Sequence, residues 1–254
     1  MLMIPEMIWN ETSYLFEKRS KVGRPPHDAR LTISGILYIM QTGAQWRNLP
    51  EVYGKHKTIH TKFMLWAKKG FIAQLFNKSI EIAIKYLGAP EALQSDTSSS
   101  KSPFAKFGGK NPTDRAKNGV KKGIVIDWKG IILSVIIDSA NRHDSQLLTP
   151  HIENIKHFFG NPMVLATDSA WDVKKIRKIF AAYNVALFAA TNVRRSKNKK
   201  KNRPRGRWHV AQIFGIQQWN RGIKTCWNKK KYAFLAMCHF ASAIHNFKLA
   251  GIFG

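Results

Sequence analysis

Residues 123–138 read GIVIDWKGIILSVIID. Two apolar runs rich in β-branched residues, Gly123–Asp127 and Ile131–Asp138, flank Trp128-Lys129-Gly130. That pattern predicts a β-hairpin, with Asp127 opening its tight turn. Downstream, Ser145–Phe159 carries Leu147, Leu148, Ile152, Ile155 and Phe159 at helical spacing. Met163–Thr167 is a short apolar strand ending in Asp168. Val173–Tyr183 predicts a helix, and Val185–Thr191 another buried strand. Upstream, Ala92–Asp96 is a short strand candidate. Residues 97–122, rich in Ser, Lys, Gly and Asn, read as a loop. The order is strand, hairpin, helix, strand, helix, strand, helix. It suits a sheet covered by helices, an α/β (α+β) arrangement, and it is the element order of an RNase H-like fold.

The N-terminal part has a different period. After Gly23-Arg24-Pro25-Pro26, Asp28 is a candidate cap for a helix holding Leu31, Ile33, Ile36, Leu37, Ile39 and Met40. A turn-rich stretch, Gln45–Tyr53, leads to a helix over Lys57–Lys68, and a third helix covers Ile72–Leu87. The reading is a small all-α, helix-turn-helix-like domain over residues 1–90 and a core domain over 91–254. From Trp208 to Phe247 the chain is mainly helical and apolar.

Forty-two Lys and Arg against fifteen Asp and Glu give a net charge of +27 on 254 residues. Such self-repulsion opposes compaction unless a polyanion compensates it, and DNA or RNA is the obvious one. The tract Arg194–Arg207 is dense in Lys and Arg and holds no acid, so it is expected to contact phosphates. Two cysteines cannot build a disulfide framework and fit a reducing cytosol. No apolar run is long enough to span a membrane, and no signal peptide is apparent.

The acids are few enough to take singly. Asp96 and Asp168 end the first and fourth strands, which are neighbours in the RNase H-like order. Two carboxylates there are a natural platform for Mg²⁺, a cation that prefers oxygen ligands. Asp127 reads as a turn residue, Asp144 as a helix cap, Asp114 as a loop organiser and Asp172 as a cap for the helix at Val173. His143, without an evident partner, reads as structural or phosphate-directed.

Several short motifs occur in a fixed order: Gly23-Arg24-Pro25, Thr42-Gly43-Ala44-Gln45-Trp46-Arg47-Asn48-Leu49-Pro50, Trp66-Ala67-Lys68-Lys69-Gly70, Gly109-Lys110-Asn111-Pro112-Thr113-Asp114-Arg115, Ala140-Asn141-Arg142-His143-Asp144, Ala166-Thr167-Asp168 and Arg207-Trp208-His209-Val210. Together they resemble bacterial insertion-sequence transposases of the DDE class. The resemblance implies a DNA transposase that binds its element ends and cleaves and joins strands with Mg²⁺ or Mn²⁺. It implies double-stranded DNA, both terminal repeats and target, as partner, a homodimer or higher oligomer on that DNA, and a cytoplasmic, nucleoid-associated setting. The family's first two acids fall on Asp96 and Asp168, which would be catalytic and metal-binding. Its third acid, a Glu four residues after an Arg matched by Arg207, falls on Ala211. From Val173 to Gly254 there are nineteen Lys and Arg and no Asp or Glu, so no small shift in alignment recovers the carboxylate. Strand cleavage is therefore expected to be crippled. The alternative is a non-cleaving DNA-binding remnant or repressor. Expected DNA contacts are Arg47, Lys57, Lys62, Lys68 and Arg115, with Arg194, Arg195, Lys197, Lys199, Lys200, Lys201 and Arg207 in the basic tract.

Overall fold

The structure, a computed structural model, describes residues 1–16, 25–158, 163–171, 173–189 and 208–253. The expected cap Asp172, the tract Arg194–Arg207 and the far ends of the predicted elements Ser145–Phe159 and Val185–Thr191 lie wholly or partly outside the described residues.

The chain divides into two compact units. One holds Met1–Tyr86, Pro103–Lys106 and Gln217–Gly254; the other holds Leu87–Ser102 and Phe107–Ile216. The C-terminal segment thus falls in one unit with the N-terminal helices. The helical unit contains α1 (Glu6–Thr12), α2 (Ala29–Thr42), α3 (His56–Lys69) and α4 (Phe71–Leu87). Asp28 caps α2, its side chain accepting from Leu31 N at 3.0 Å. Gly43 ends that helix at φ +67°, a left-handed cap that suits glycine. The segment from Gly43 to Lys55 folds into two 3₁₀ turns, Trp46–Asn48 and Glu51–Tyr53. It is longer than the roughly three- or four-residue turn of a tight helix-turn-helix.

Further along the chain come α5 (Ser145–Ile155), α6 (Lys174–Ala181), α7 (Trp208–Gln218), α8 (Arg221–Lys224) and α9 (Lys231–Leu249). Helix α9 is buried nearly all round, through Phe234, Met237, Phe240, Ile244 and Phe247. A helix of that kind has no solvent face and must be enclosed. It is enclosed by helices distant in sequence: Phe76 stacks on His239 with centroids 5.1 Å apart, and Asn246 Nδ2 donates to Ser79 Oγ at 3.2 Å. Helix α8 approaches α2 where a Cβ on Gly222 would stand 2.9 Å from the Met40 carbonyl, so only glycine fits there.

The sheet unit is a six-stranded mixed sheet of β1 (Ala92–Lys101), β2 (Gly109–Lys110), β3 (Asn118–Asp127), β4 (Ile132–Ser139), β5 (Met163–Thr167) and β6 (Val185–Ala189). Strand β1 is central. It pairs antiparallel with β3 and parallel with β5; β6 extends the parallel side, while β4 and β2 flank β3. This is the RNase H-like strand arrangement. The hairpin forms as read: Gly130 N donates to the Asp127 carbonyl at 3.1 Å with φ +96°, and Asp127 Oδ1 accepts from Ile131 N at 2.7 Å.

Residues 97–122 are not one loop. Strand β1 runs five residues past Asp96, and β3 begins at Asn118, with Lys101 paired to Gly119. Ser and Lys are weak strand signals in isolation. Here the backbone ladder to a neighbour carries the strand, and side-chain chemistry does not oppose it. Asp96 therefore lies mid-strand rather than at a strand end.

Candidate active site

The two sheet partners of β1 end at different places, and this defines the site. Parallel pairing with β5 covers Ala92↔Val164, Leu93↔Leu165 and Gln94↔Ala166. The pairing stops there; counted two residues past its last pair, the register leads from Gln94 to Asp96 on one segment and from Ala166 to Asp168, the first residue after β5, on the other. Antiparallel pairing continues on the other edge, with Asp96 opposite Ile124. So Asp96 is held in a regular ladder on one side, while on the other its neighbour strand has just given way to a turn. Both carboxylates are half-buried. Thr97 N donates to Asp96 Oδ1 at 2.8 Å. The turn after Asp168 is fixed by Trp171, which is fully buried and donates its backbone N–H to the Asp168 carbonyl at 3.1 Å.

Strand alternation puts Gln94, Asp96, Ser98 and Ser100 on one face of β1, across from Ile126, Ile124, Lys122 and Val120 of β3. Lys122 is 2% exposed. A buried ammonium is costly unless negative charge or several acceptors compensate it. The sequence reading missed Lys122. In Lys121-Lys122 only the strand phase separates a surface cation from a buried one, and a stretch read as loop has no phase. Lys121, on the opposite face, pairs with Asp144 at 2.6 Å. Asp144 is thus an ion-pair partner and makes no side-chain cap to α5, contrary to expectation.

The other acids settle into structural roles. Asp138 accepts from Ser139 N at 2.8 Å and stands 3.7 Å from Arg142 Nε. His143 Nδ1 engages Ser145 Oγ at 2.8 Å, a local contact. In the loop after β2, the side chain of Asn111 accepts from Thr113 N and Oγ1; Asp114 contributes its backbone carbonyl to Lys117 N. A cavity of about 450 Å³ is lined by Thr97–Lys101, this loop, Lys117, Lys121 and Asp144.

Ala211 lies exposed on α7, whose buried side is Val210, Ile213, Phe214 and Gln217. Arg47, Lys57, Lys68 and Arg115 are exposed, and Lys62 is half-buried. Arg115 and Ala116 both have left-handed backbones, φ +49° and +57°. The remaining expected DNA contacts lie outside the described residues. As a metal site, Asp96 and Asp168 offer hard oxygen donors on neighbouring chain segments, the chemistry Mg²⁺ or Mn²⁺ takes. Among the described residues, no three His, Cys, Asp or Glu side chains come together for a metal. Among the described residues no helix is long and apolar enough to cross a membrane.

Residues 4–76 match the family model described as "Putative transposase of IS4/5 family", and residues 90–236 match "Transposase DDE domain". The curated "Putative transposase for insertion sequence element IS402" of Burkholderia cepacia is 36% identical over 77 residues, which is 28% of this chain and 36% of that protein. The chain thus spans about a third of the relative it matches. A piggyBac transposase synaptic complex with hairpin DNA is similar over 98% of this chain and 73% of its own, at 12% identity and TM-score 0.42. A Mos1 transposase paired-end complex covers 94% and 83%, at 8% identity and TM-score 0.29. The weight rests on the family models. With the second of them running over more than half of its length, the chain belongs to the DDE-domain transposase family.

Proposed function

We propose that this protein binds the DNA ends of an insertion sequence and holds, with Asp96 and Asp168, a metal-dependent strand-cleavage centre crippled at its third carboxylate. The observation that supports this reading is the parallel β1–β5 pairing, which ends at Gln94↔Ala166, two residues before Asp96 and Asp168 on the two segments. A divalent cation bound there supplies a polarised phosphate oxygen and a more acidic water. The chain's own contribution is the fixed pair of carboxylates, the buried Lys122 on their face, and the exposed cations that attract a polyanion. By the resemblance Ala211 takes the position of the family's Glu, and its methyl group could not serve as a ligand to a metal ion. Double-stranded DNA is the partner favoured by the +27 charge, and assembly on that DNA as a homodimer or larger complex belongs to the same proposal.

A second reading is favoured by Ala211 itself: a non-cleaving DNA-binding protein on a transposase scaffold, acting as a repressor of related elements. One paired experiment separates the two. The chain and its Ala211→Glu variant are incubated with Mg²⁺ or Mn²⁺ and duplexes carrying the DNA that flanks the gene. Ala211→Glu is expected to raise cleavage by roughly two orders of magnitude or more, about the 10²–10⁴ weight of a positioned catalytic group. Asp96→Asn should abolish that gain without weakening DNA binding. Equal, robust cleavage by the unaltered chain would overturn the crippled-centre reading. No cleavage by Ala211→Glu would favour the repressor.

A further inference from the structure

The helical unit contains a cavity of about 560 Å³ that the candidate active site does not use. Its lining residues include Trp46, Phe104, Trp227, Gln45, Asn228 and Met237. Phe104 and Trp227 are 58% and 54% exposed, although large aromatic side chains are normally the first to be buried. Their centroids stand 5.8 Å apart at 40°, splayed rather than stacked. Trp46 is held against Phe63 and His60, at 5.3 and 4.9 Å, so one wall is rigid. A short segment, Pro103–Lys106, leaves the strands of the sheet unit to join the helical unit and carries Phe104 with it.

The sequence around each ring is basic. Arg47 follows Trp46 and Lys106 follows Phe104 by two residues. Arg221, Lys224, Lys229, Lys230 and Lys231 surround Trp227, and all seven cations are exposed. No Asp or Glu occurs in residues 42–50, 103–106 or 217–254. Aromatic faces for stacking, two amides able to match the donors and acceptors of a base edge, and cations for phosphate form the chemistry that holds an unstacked nucleotide. The volume is of the size of small-ligand pockets. A purely apolar partner would gain nothing from the cations, and in a fully paired, stacked duplex the base faces are already covered by their neighbours.

We infer that this cavity takes a single unpaired nucleobase of DNA bound by the protein, stacked against Trp227 and Phe104. The inference rests on the DNA-binding reading above and adds a site to it. The test uses the full chain and a short duplex of arbitrary sequence carrying one 2-aminopurine, either paired or as a one-base bulge. The bulged duplex should bind roughly tenfold more tightly than the paired one, in keeping with the worth of one base–aromatic stack. The bulged fluorophore should also be quenched on binding. Trp227→Leu with Phe104→Leu should erase the preference and the quenching while leaving affinity for the paired duplex within about twofold; Trp227→Phe should keep most of both. Equal binding of the two duplexes by the unaltered chain, absence of quenching, or a preference that survives the double substitution would each overturn the inference. Failure to bind either duplex would overturn the DNA-binding reading and this one with it. The unaltered chain alone gives the first two results, so an unfolded variant leaves the test decisive.

Discussion

The helical and sheet units solve the burial of polar groups in opposite ways. In the helical unit the buried polar side chains are neutral: Thr12, Thr32, Ser34, Ser79, Gln217, Ser242 and Asn246. They bond to helix carbonyls or to each other, as when Thr12 Oγ1 donates to the Ile8 carbonyl and Gln217 Nε2 to Ser242 Oγ. In the sheet unit the buried set includes Lys122, Asp127 and His151. Among the described residues, six buried side-chain atoms lack a hydrogen-bond partner: Gln94 Oε1, Ser102 Oγ, Asp127 Oδ2, His151 Nε2, Thr167 Oγ1 and Trp171 Nε1. All six lie in the sheet unit, and Gln94, Thr167 and Trp171 are within three residues of Asp96 or Asp168. Unsatisfied polar groups cost stability and persist where something other than stability fixes them. Among the described residues, the helical unit thus pairs its buried polar groups more completely than the sheet unit does.

The largest expected effect sharpens the helical side. Phe247 on α9 is fully buried. Phe247→Ala should cost about 3–5 kcal/mol in urea unfolding followed by tryptophan fluorescence. A loss no larger than that of a surface substitution would show that the C-terminal helix is not part of the helical core.

Next comes a pH effect confined to the sheet unit. His151 donates or accepts at Ser134 Oγ, 2.7 Å away, and burial pushes its imidazole down to about 3. The folded form binds its proton only far below the ordinary 6.5, so the unfolded chain holds more protons between those values. Stability from this group is complete above about pH 6.5 and is lost as pH falls toward 3. Between pH 7 and pH 5 the loss should be about 2 kcal/mol. His151→Gln should flatten that slope; an unchanged slope would remove His151 from the account.

A smaller effect imports the sheet unit's deficit into the helices. Ser79→Ala deletes the acceptor of Asn246 Nδ2 and the donor to the Phe76 carbonyl. The expected cost is about 1–2 kcal/mol by thermal unfolding. A neutral result would mean that the helical unit is no more tightly satisfied than the sheet. Smallest is Asp127→Asn. Burial raises the Asp127 carboxyl above its ordinary value, so its ionised form opposes folding at neutral pH. Asparagine keeps an oxygen for Ile131 N without the charge. Asp127→Asn should change stability at pH 7 by less than about 1 kcal/mol, toward greater stability. Marked destabilisation would assign the charge a role in the turn.

Much of this molecule was legible in its residues. The hairpin at 123–138, the Asp28 cap, the strand before Asp168 and the order of elements all follow from local rules: β-branched runs, turn chemistry and periodicity. The absence of any Asp or Glu from Val173 onward, a stretch that includes Ala211, is equally a sequence fact. What local rules could not supply was pairing. Whether Ser98–Lys101 and Gly119–Lys122 form strands depends on their pairing with each other, between residues 18 to 24 apart along the chain. That pairing moves Asp96 from a strand end to mid-strand, and it separates the buried Lys122 from the surface Lys121. Likewise α9 announces only that it must be buried; its enclosure by α3 and α4 is a choice among apolar surfaces that one sequence does not rank. The same holds for Trp46, Phe104 and Trp227, which are nearly sixty residues or more apart in the chain and meet around one cavity. Composition and periodicity determine which groups exist and which elements they favour, because those depend on neighbours in the chain. Tertiary structure decides which groups share a face, because that depends on long-range pairing and on the burial of apolar surface.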